Sequence, residues 1–190
     1  LHGKRIAGTV GKPLTGVTVR IVSSVGEVVP EGKVGQLQIS GPSVISGYLG
    51  LPDATAKAIV GGWMNSGDLA SQEGGIYRIV GRSTDMIISG GLNVYPREIE
   101  STLLQLPEVA EAAVVGFPDS DFGERVVAFL IPTTNMTLDS DAIFRHIKTN
   151  LAPYKRPKAL YRLQEFPRNG MGKVKKNVLR AHSDNPPLPI

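Results

Sequence analysis

Asp68, Arg82, Asp85 and Lys173 are the side chains of this sequence whose neighbours equip them for chemistry. Asp68 stands in NSGDL, residues 65–69, directly after a glycine and at the end of a strand-like segment. A carboxylate at such a turn presents several lone pairs in a fork and can accept two hydrogen bonds from a ribose diol. The plain alternative is a turn aspartate bonded to its own backbone. Arg82 and Asp85 lie three apart in GRSTDMIISGGLNVYPREIE, residues 81–100. The Arg82 fork suits a phosphate or sugar oxygen. Asp85 sits where the sequence pattern changes, and Gly90–Gly91 permit backbone angles that other residues avoid. That combination suits a hinge, although an ordinary loop between two domains with a surface arginine would look the same. Lys173 ends PRNGMGK, residues 167–173, where the glycines allow a mobile backbone and close approach to a ligand. Its ammonium is a compact charge for a phosphate or carboxylate oxygen; a solvated lysine beside Lys175 and Lys176 is the plain alternative.

These residues need elements to hold them. VTVRIVSS and GQLQIS alternate apolar and polar side chains, the pattern of half-buried strands, with turn chemistry in VPEGKVG between them. GPSVISGYLGLPDATAKAIV reads as a loop entering a short helix with Asp53 as its cap. GGWMNSGDLASQEGGIYRIVGR reads as two short strands joined at Gly74–Gly75, so the first 80 or so residues are antiparallel β. Beyond about residue 85 the period changes. YPREIESTLLQLPEV is helical, with Ile99, Leu103 and Leu106 on one face and Pro96 in the first turn. VAEAAVVGFP and ERVVAFLIP are apolar strands. A second helix carries Ile143, Ile147 and Leu151 and stops at Pro153. ALYRLQEFP is a strand, and GKVKKNVLRAH a short helix. The spacing therefore predicts a β-rich piece over 1–84, an α+β module over 85–181 and a flexible Pro-rich tail over 182–190.

Composition narrows the function classes. With no cysteine among 190 residues, disulfides and thiolate metal sites are excluded. His2, His146 and His182 have no ligand spacing, and no apolar run is long enough to span a membrane. The net charge is +4, and between Lys148 and Arg180 ten Lys or Arg face a single acid, Glu165. Such a run attracts polyanions, whether nucleic acid, a nucleotide or a phosphorylated cofactor, or is simply a solvated face. It lacks the interleaved exposed aromatics of a single-strand binder, Tyr154 and Tyr161 being expected in core or interface, so no nucleic-acid partner is expected.

Taken together, GWMNSGDL, GRSTDMIISGGLNVYPREIE and PRNGMGK resemble, in order and separation, three motifs of the adenylate-forming superfamily. This group comprises acyl-CoA synthetases, peptide-synthetase adenylation domains and luciferases. GPSVISGYLGLPDATAKAI and VVGFPDSDFGERVVAFLIP look like the family too, so the resemblance runs from Gly8 to Arg180. The stretches GGLNVYPREIE and PRNGMGKVKKNVLR look closest to malonyl-CoA synthetases.

The resemblance implies an α+β fold, a β-rich remnant of a large N-terminal domain followed by a mobile lid. It implies an ATP-dependent carboxylic acid–CoA ligase, acting on malonate or a fatty acid, with ATP, Mg²⁺ and CoA, in the cytoplasm. Asp68 would hold the ribose hydroxyls of ATP with Arg82 assisting. Asp85 would be the hinge. Lys173 would bind the acyl carboxylate and phosphate oxygens in the first half-reaction. Gly90 and Gly91 would line the pantetheine tunnel in the second, with unassigned basic side chains meeting the CoA phosphates. Two departures stand out: Ile88 occupies a position where the family often has lysine, and the sequence contains neither a Ser/Thr/Gly-rich phosphate loop ending in Pro-Lys nor a YGxTE-type segment. The acyl pocket, most of the ATP site and the principal Mg²⁺ ligand are thus expected upstream, with no metal ligand here, and the 190 residues alone should not catalyse. A domain that loads a carrier protein and a non-catalytic basic binding module are the alternatives.

Overall fold

The computed structural model describes residues 6–181, so the tail expected at 182–190 lies outside the described residues. The chain divides into two compact units, Leu1–Thr84 and Asp85–Ile190. The fold is α+β, built on two antiparallel-rich sheets.

In the first unit the alternating segments form β1 (Thr18–Val22) and β2 (Gly35–Ser40), paired antiparallel with Arg20 opposite Gln38 and Ile21 opposite Leu37. The central strand is β4 (Trp63–Glu73), eleven residues long and so longer than its sequence suggests. It carries β2 on one edge. Its other edge takes β3 (Ile59–Val60), a segment read as helix from sequence, and then β5 (Ile76–Arg82). Side chains alternate across the sheet. One face supplies a small core of Ile21, Leu37 and Ala70, with Val19, Val29, Tyr77 and Ile79 against it. The other carries a polar ladder in which Arg20 Nε donates to Gln38 Oε1 (2.7 Å) and Gln38 Nε2 to Asn65 Oδ1 (2.7 Å). The Arg20 guanidinium lies 4.1 Å from the Trp63 ring centroid.

The short helix α1 spans Pro52–Ala58, and Asp53 is not its cap. Proline's fixed φ and missing N–H favour the first helical position, which puts Pro52 there and moves the cap back to Leu51, whose side chain caps nothing. Asp53 falls in the first turn, where a carboxylate still suits the positive end of the helix.

The second unit is organised around β9 (Gly123–Pro132). On one edge β9 pairs along its length with β8 (Val109–Asp119). On the other it pairs with β10 (Ala159–Arg162) and, through Gly123, with β6 (Ile87–Ser89), which pairs in turn with β7 (Leu92–Val94). β10 runs parallel to β9 because α3 (Ser140–Asn150) carries the chain back between them. On β9, Val126, Ala128 and Leu130 face a core shared with Ile99 and Leu103 of α2 (Pro96–Leu103) and with Ile143 and Ile147 of α3. Val127 and Phe129 face a second core with Phe117, Tyr161, Phe166 and Leu179, the last on α4 (Lys176–Arg180). Burial on both sides explains why this strand reads as an unbroken apolar run. Phe129 and Tyr161 stack at 5.1 Å.

α2 stops at Leu103, three residues short of the expected Leu106. Pro107 disfavours helical backbone at the residue before it, and Leu106 packs against the core from the loop instead. α3 is capped by Asp139, whose carboxylate accepts from Ala142 N at 3.1 Å, and ends as expected just before Pro153.

Candidate functional site

Asp68 and Arg82 face each other across β4 and β5, in direct register. Arg82 Nε donates to Asp68 Oδ1 at 2.9 Å, with Asp68 28% and Arg82 55% exposed. The carboxylate is held from behind by its own strand. Ser66 Oγ donates to Leu37 O (2.9 Å) and accepts from Asp68 N (3.0 Å). Ser83 Oγ donates to Gly67 O at 3.2 Å. Gly67 sits at φ +77°, and the β2 and β5 registers both shift nearby. The kinked segment thus aims Asp68 with one oxygen engaged by Arg82 and a second available. A cavity of about 470 Å³ opens beside the kink, walled in part by Tyr48, Lys57, Asn65, Gly67 and Ser83. The sequence reading missed both serines; the serine before GD, residue 66, and the one after GR, residue 83, were the signal.

Asp85 closes a single 3-10 turn, Ser83–Asp85, at the boundary between the units. Gly90 and Gly91 are not beside it in that connection. They form the two-residue turn between β6 and β7, at φ +58° and +76°, a mirror-image turn that suits hairpins and demands glycine-like residues. Gly90 N donates to Phe122 O at 2.9 Å, and the Phe122 ring packs close against Gly90. The backbone angles that only glycine readily adopts are thus used in this turn and not in the connection at Asp85.

Lys173 is exposed, and among the described residues no carboxylate pairs with it. Its backbone is hydrogen-bonded on both sides of the turn. Arg168 and Val174 form an antiparallel bridge, Lys175 N donates to Pro167 O (2.7 Å), and Gly172 takes φ +78° in the turn between.

The basic run is less naked than its sequence suggests. Lys155 Nζ lies 2.7 Å from Glu98 Oε1, Lys176 Nζ lies 2.7 Å from Glu100 Oε1, and Arg168 pairs with Glu111. Arg156 donates to Leu151 O and Lys148 O. The acids come from α2 and β8, far away in sequence, so a local charge count overlooks them. Partial burial lowers the proton affinity of Lys155, but the Glu98 carboxylate and Tyr154 together raise it by more, and its pKa lies above the ordinary lysine value. Glu100 also accepts from Val114 N at 2.9 Å. The two glutamates of the EIE segment thus flank buried Ile99 and tie α2 to its neighbours, which is a structural task.

Among the described residues no group of three or more His, Asp or Glu side chains converges. No helix among them is long and apolar enough to cross a membrane.

Residues 98–173 match the AMP-binding enzyme C-terminal domain, and residues 2–49 match the AMP-binding enzyme family. The chain belongs to the adenylate-forming superfamily. Its relatives are CoA ligases with varied acids. It is 41% identical over 180 residues to a feruloyl-CoA synthase of Amycolatopsis, an alignment covering 94% of this chain and 37% of that protein. ATP-bound MatB from Rhodopseudomonas palustris matches with a TM-score of 0.89 at 39% identity, over 95% of this chain and 36% of that one. The o-succinylbenzoate CoA synthetase of Bacillus subtilis, solved with its acyl-adenylate intermediate, matches with a TM-score of 0.88 at 33% identity, over 96% and 37%. The chain therefore spans little more than a third of the length of these relatives.

Proposed function

We propose that the chain is the portion of an ATP-dependent carboxylic acid–CoA ligase that binds the ATP ribose and supplies the lid. The observation that carries this reading is the state of Lys173. Lys155, Arg168 and Lys176 are paired with acids, whereas Lys173, like Lys175, stands exposed with no carboxylate partner among the described residues, and of these two only Lys173 lies on the turn between Arg168 and Val174. An ammonium presented that way is suited to an anionic ligand from outside its own unit.

In this reading Asp68 accepts hydrogen bonds from the ribose hydroxyls, and Arg82 steadies the carboxylate and reaches the sugar. A carboxylate oxygen of the acid attacks the α-phosphorus of ATP, and the bond to pyrophosphate breaks. Lys173 attracts both the acid and the phosphoryl oxygens on which charge gathers, and such preset charges act most strongly in a site closed to water. A thiol then attacks the acyl carbonyl, AMP departs, and Gly90–Gly91 border the path of the pantetheine. Asp85 is the hinge at which Lys173 is exchanged for that second face. The acid is malonate or a fatty acid, the acceptor free CoA, and the setting the cytoplasm. Magnesium and the acyl pocket belong to residues outside this sequence.

Steady-state assays of the intact protein test this. Pyrophosphate should be released only when ATP and a carboxylic acid are both present, and a thioester should follow on adding free CoA. Acid-independent pyrophosphate release, or transfer only to a carrier-bound thiol, would contradict it.

A further inference from the structure

We propose that Asn169 is a positioning residue for the adenylation step, its carboxamide fixing the loop that presents Lys173. This inference rests on the ligase reading above. Asn169 makes four hydrogen bonds inside the five residues 169–173. Its Oδ1 accepts from Met171 N at 3.0 Å and from Lys173 N at 2.9 Å. Its backbone N donates to Lys173 O, and its backbone O accepts from Gly172 N, both at 2.9 Å. The neighbouring Arg168 donates from one guanidinium nitrogen to Gly172 O (2.9 Å) and from the other to Glu111 on β8. On the far side, Lys176 is held by Glu100 of α2. The loop is thus anchored at both ends and braced across its middle.

The brace leaves the Lys173 side chain untouched. Every bond in the set goes to backbone, to Arg168 or to Lys176, so the loop is held without engaging the Lys173 ammonium. A lysine on a flexible loop would have to lose backbone freedom each time it engaged the reacting groups. One on a prefixed loop loses side-chain freedom alone, and the difference falls on the rate of the step it serves. Lys173 therefore reaches its ligand by motion of the unit that bears it, with the loop itself unchanged.

The test uses Asn169→Ala, Asn169→Asp and Lys173→Ala in the intact protein. Asn169→Ala should lower kcat for adenylation by about 10–100-fold, with KM for ATP and acid moving no more than about threefold. Asn169→Asp keeps the acceptor oxygens and should restore most of that loss. Thioester formation from supplied acyl-adenylate should stay unchanged in Asn169→Ala. Amide hydrogen exchange should accelerate at Met171 and Lys173 and remain slow at Phe129, which separates a loosened loop from an unfolded unit. Wild-type adenylation by Asn169→Ala beside an inactive Lys173→Ala would overturn the positioning role and leave the ligase reading standing. Equal loss of both half-reactions in Asn169→Ala would also overturn it. Normal adenylation by Lys173→Ala would remove the lysine, and the positioning role with it, from that step; no acid-dependent pyrophosphate release by the wild-type protein would bring down the ligase reading itself.

Discussion

The two units cover their sheets in different ways. The second has helices or loops on both faces of β9, with thirteen buried residues on one side and nine on the other. The first has a core cluster of three buried residues, Ile21, Leu37 and Ala70, with Val22 and Leu69 buried beside it, and its α1 buries none. Its apolar side chains lie largely in the open: Leu14 is 69% exposed, Val25 78% and Leu49 fully. Burial of apolar surface is the dominant favourable term in folding, so the second unit has its stability built in and the first is sparingly supplied. The proposed functional residues follow the same division. Asp68 and Arg82 sit on the central strand β4 and the edge strand β5 of the thinly covered sheet, while Lys173 stands on a loop backed by a packed unit. A ligand-binding edge can be built on a thin scaffold if more protein covers it; a group that must be carried to its ligand needs a rigid bearer.

That contrast can be broken or sharpened by experiment. The largest effect is expected from Phe129→Ala, which empties the middle of the second core and should destabilise that unit by about 3–5 kcal/mol. The single tryptophan, Trp63, reports on the first unit alone. Its fluorescence transition in denaturant should not move in this variant while the far-UV circular dichroism transition does; a common shift would abolish the distinction. Glu100→Gln comes next. It leaves the Lys176 ammonium without its counter-charge where both partners are only 18% exposed, and should cost about 1.5–3 kcal/mol in the second unit by urea unfolding. Asp68→Asn breaks a more exposed pair and should change the stability of the first unit by about 0–1 kcal/mol, yet weaken ATP binding measurably by calorimetry. Unaltered ATP affinity would remove Asp68 from the proposed site.

The smallest effect is electrostatic. Against the lowering effect of burial, Glu98 and Tyr154 together hold Lys155 above its ordinary pKa of 10.5. A cation favoured in the folded state contributes stability that is complete below pH 10.5 and disappears as the pH rises through its higher folded value. The wild-type second unit should therefore lose stability in that alkaline window, and Lys155→Met should lose less over the same range. Parallel alkaline profiles would remove the pair from the stability of the unit.

Much of this was legible in the sequence because it is local. Alternation marked β1 and β2, the 3.6 period marked α2 and α3, and two apolar runs marked β8 and β9. The order of three motifs pointed to the superfamily. What escaped was non-local or very short. Strands of two or three residues, such as β3, β6 and β7, carry too little pattern to show a period. The parallel pairing of β10 depends on where α3 returns the chain. The glycines around Lys173 suggested looseness, because glycine permits freedom without requiring it; Asn169 and Arg168 remove that freedom through bonds that sequence spacing alone does not reveal. Glu98, Glu100 and Glu111 each pair with one cation of a basic run, 57 to 76 residues further along the chain.

The most direct measurement separates the two half-reactions in Lys173→Ala of the intact protein. Acid- and ATP-dependent pyrophosphate release should fall by about 10²-fold or more, the scale seen when one preset stabilising group is removed. Thioester formation from supplied acyl-adenylate should proceed at nearly the wild-type rate. Equal loss in both steps, or no loss in the first, would contradict the role given to this lysine.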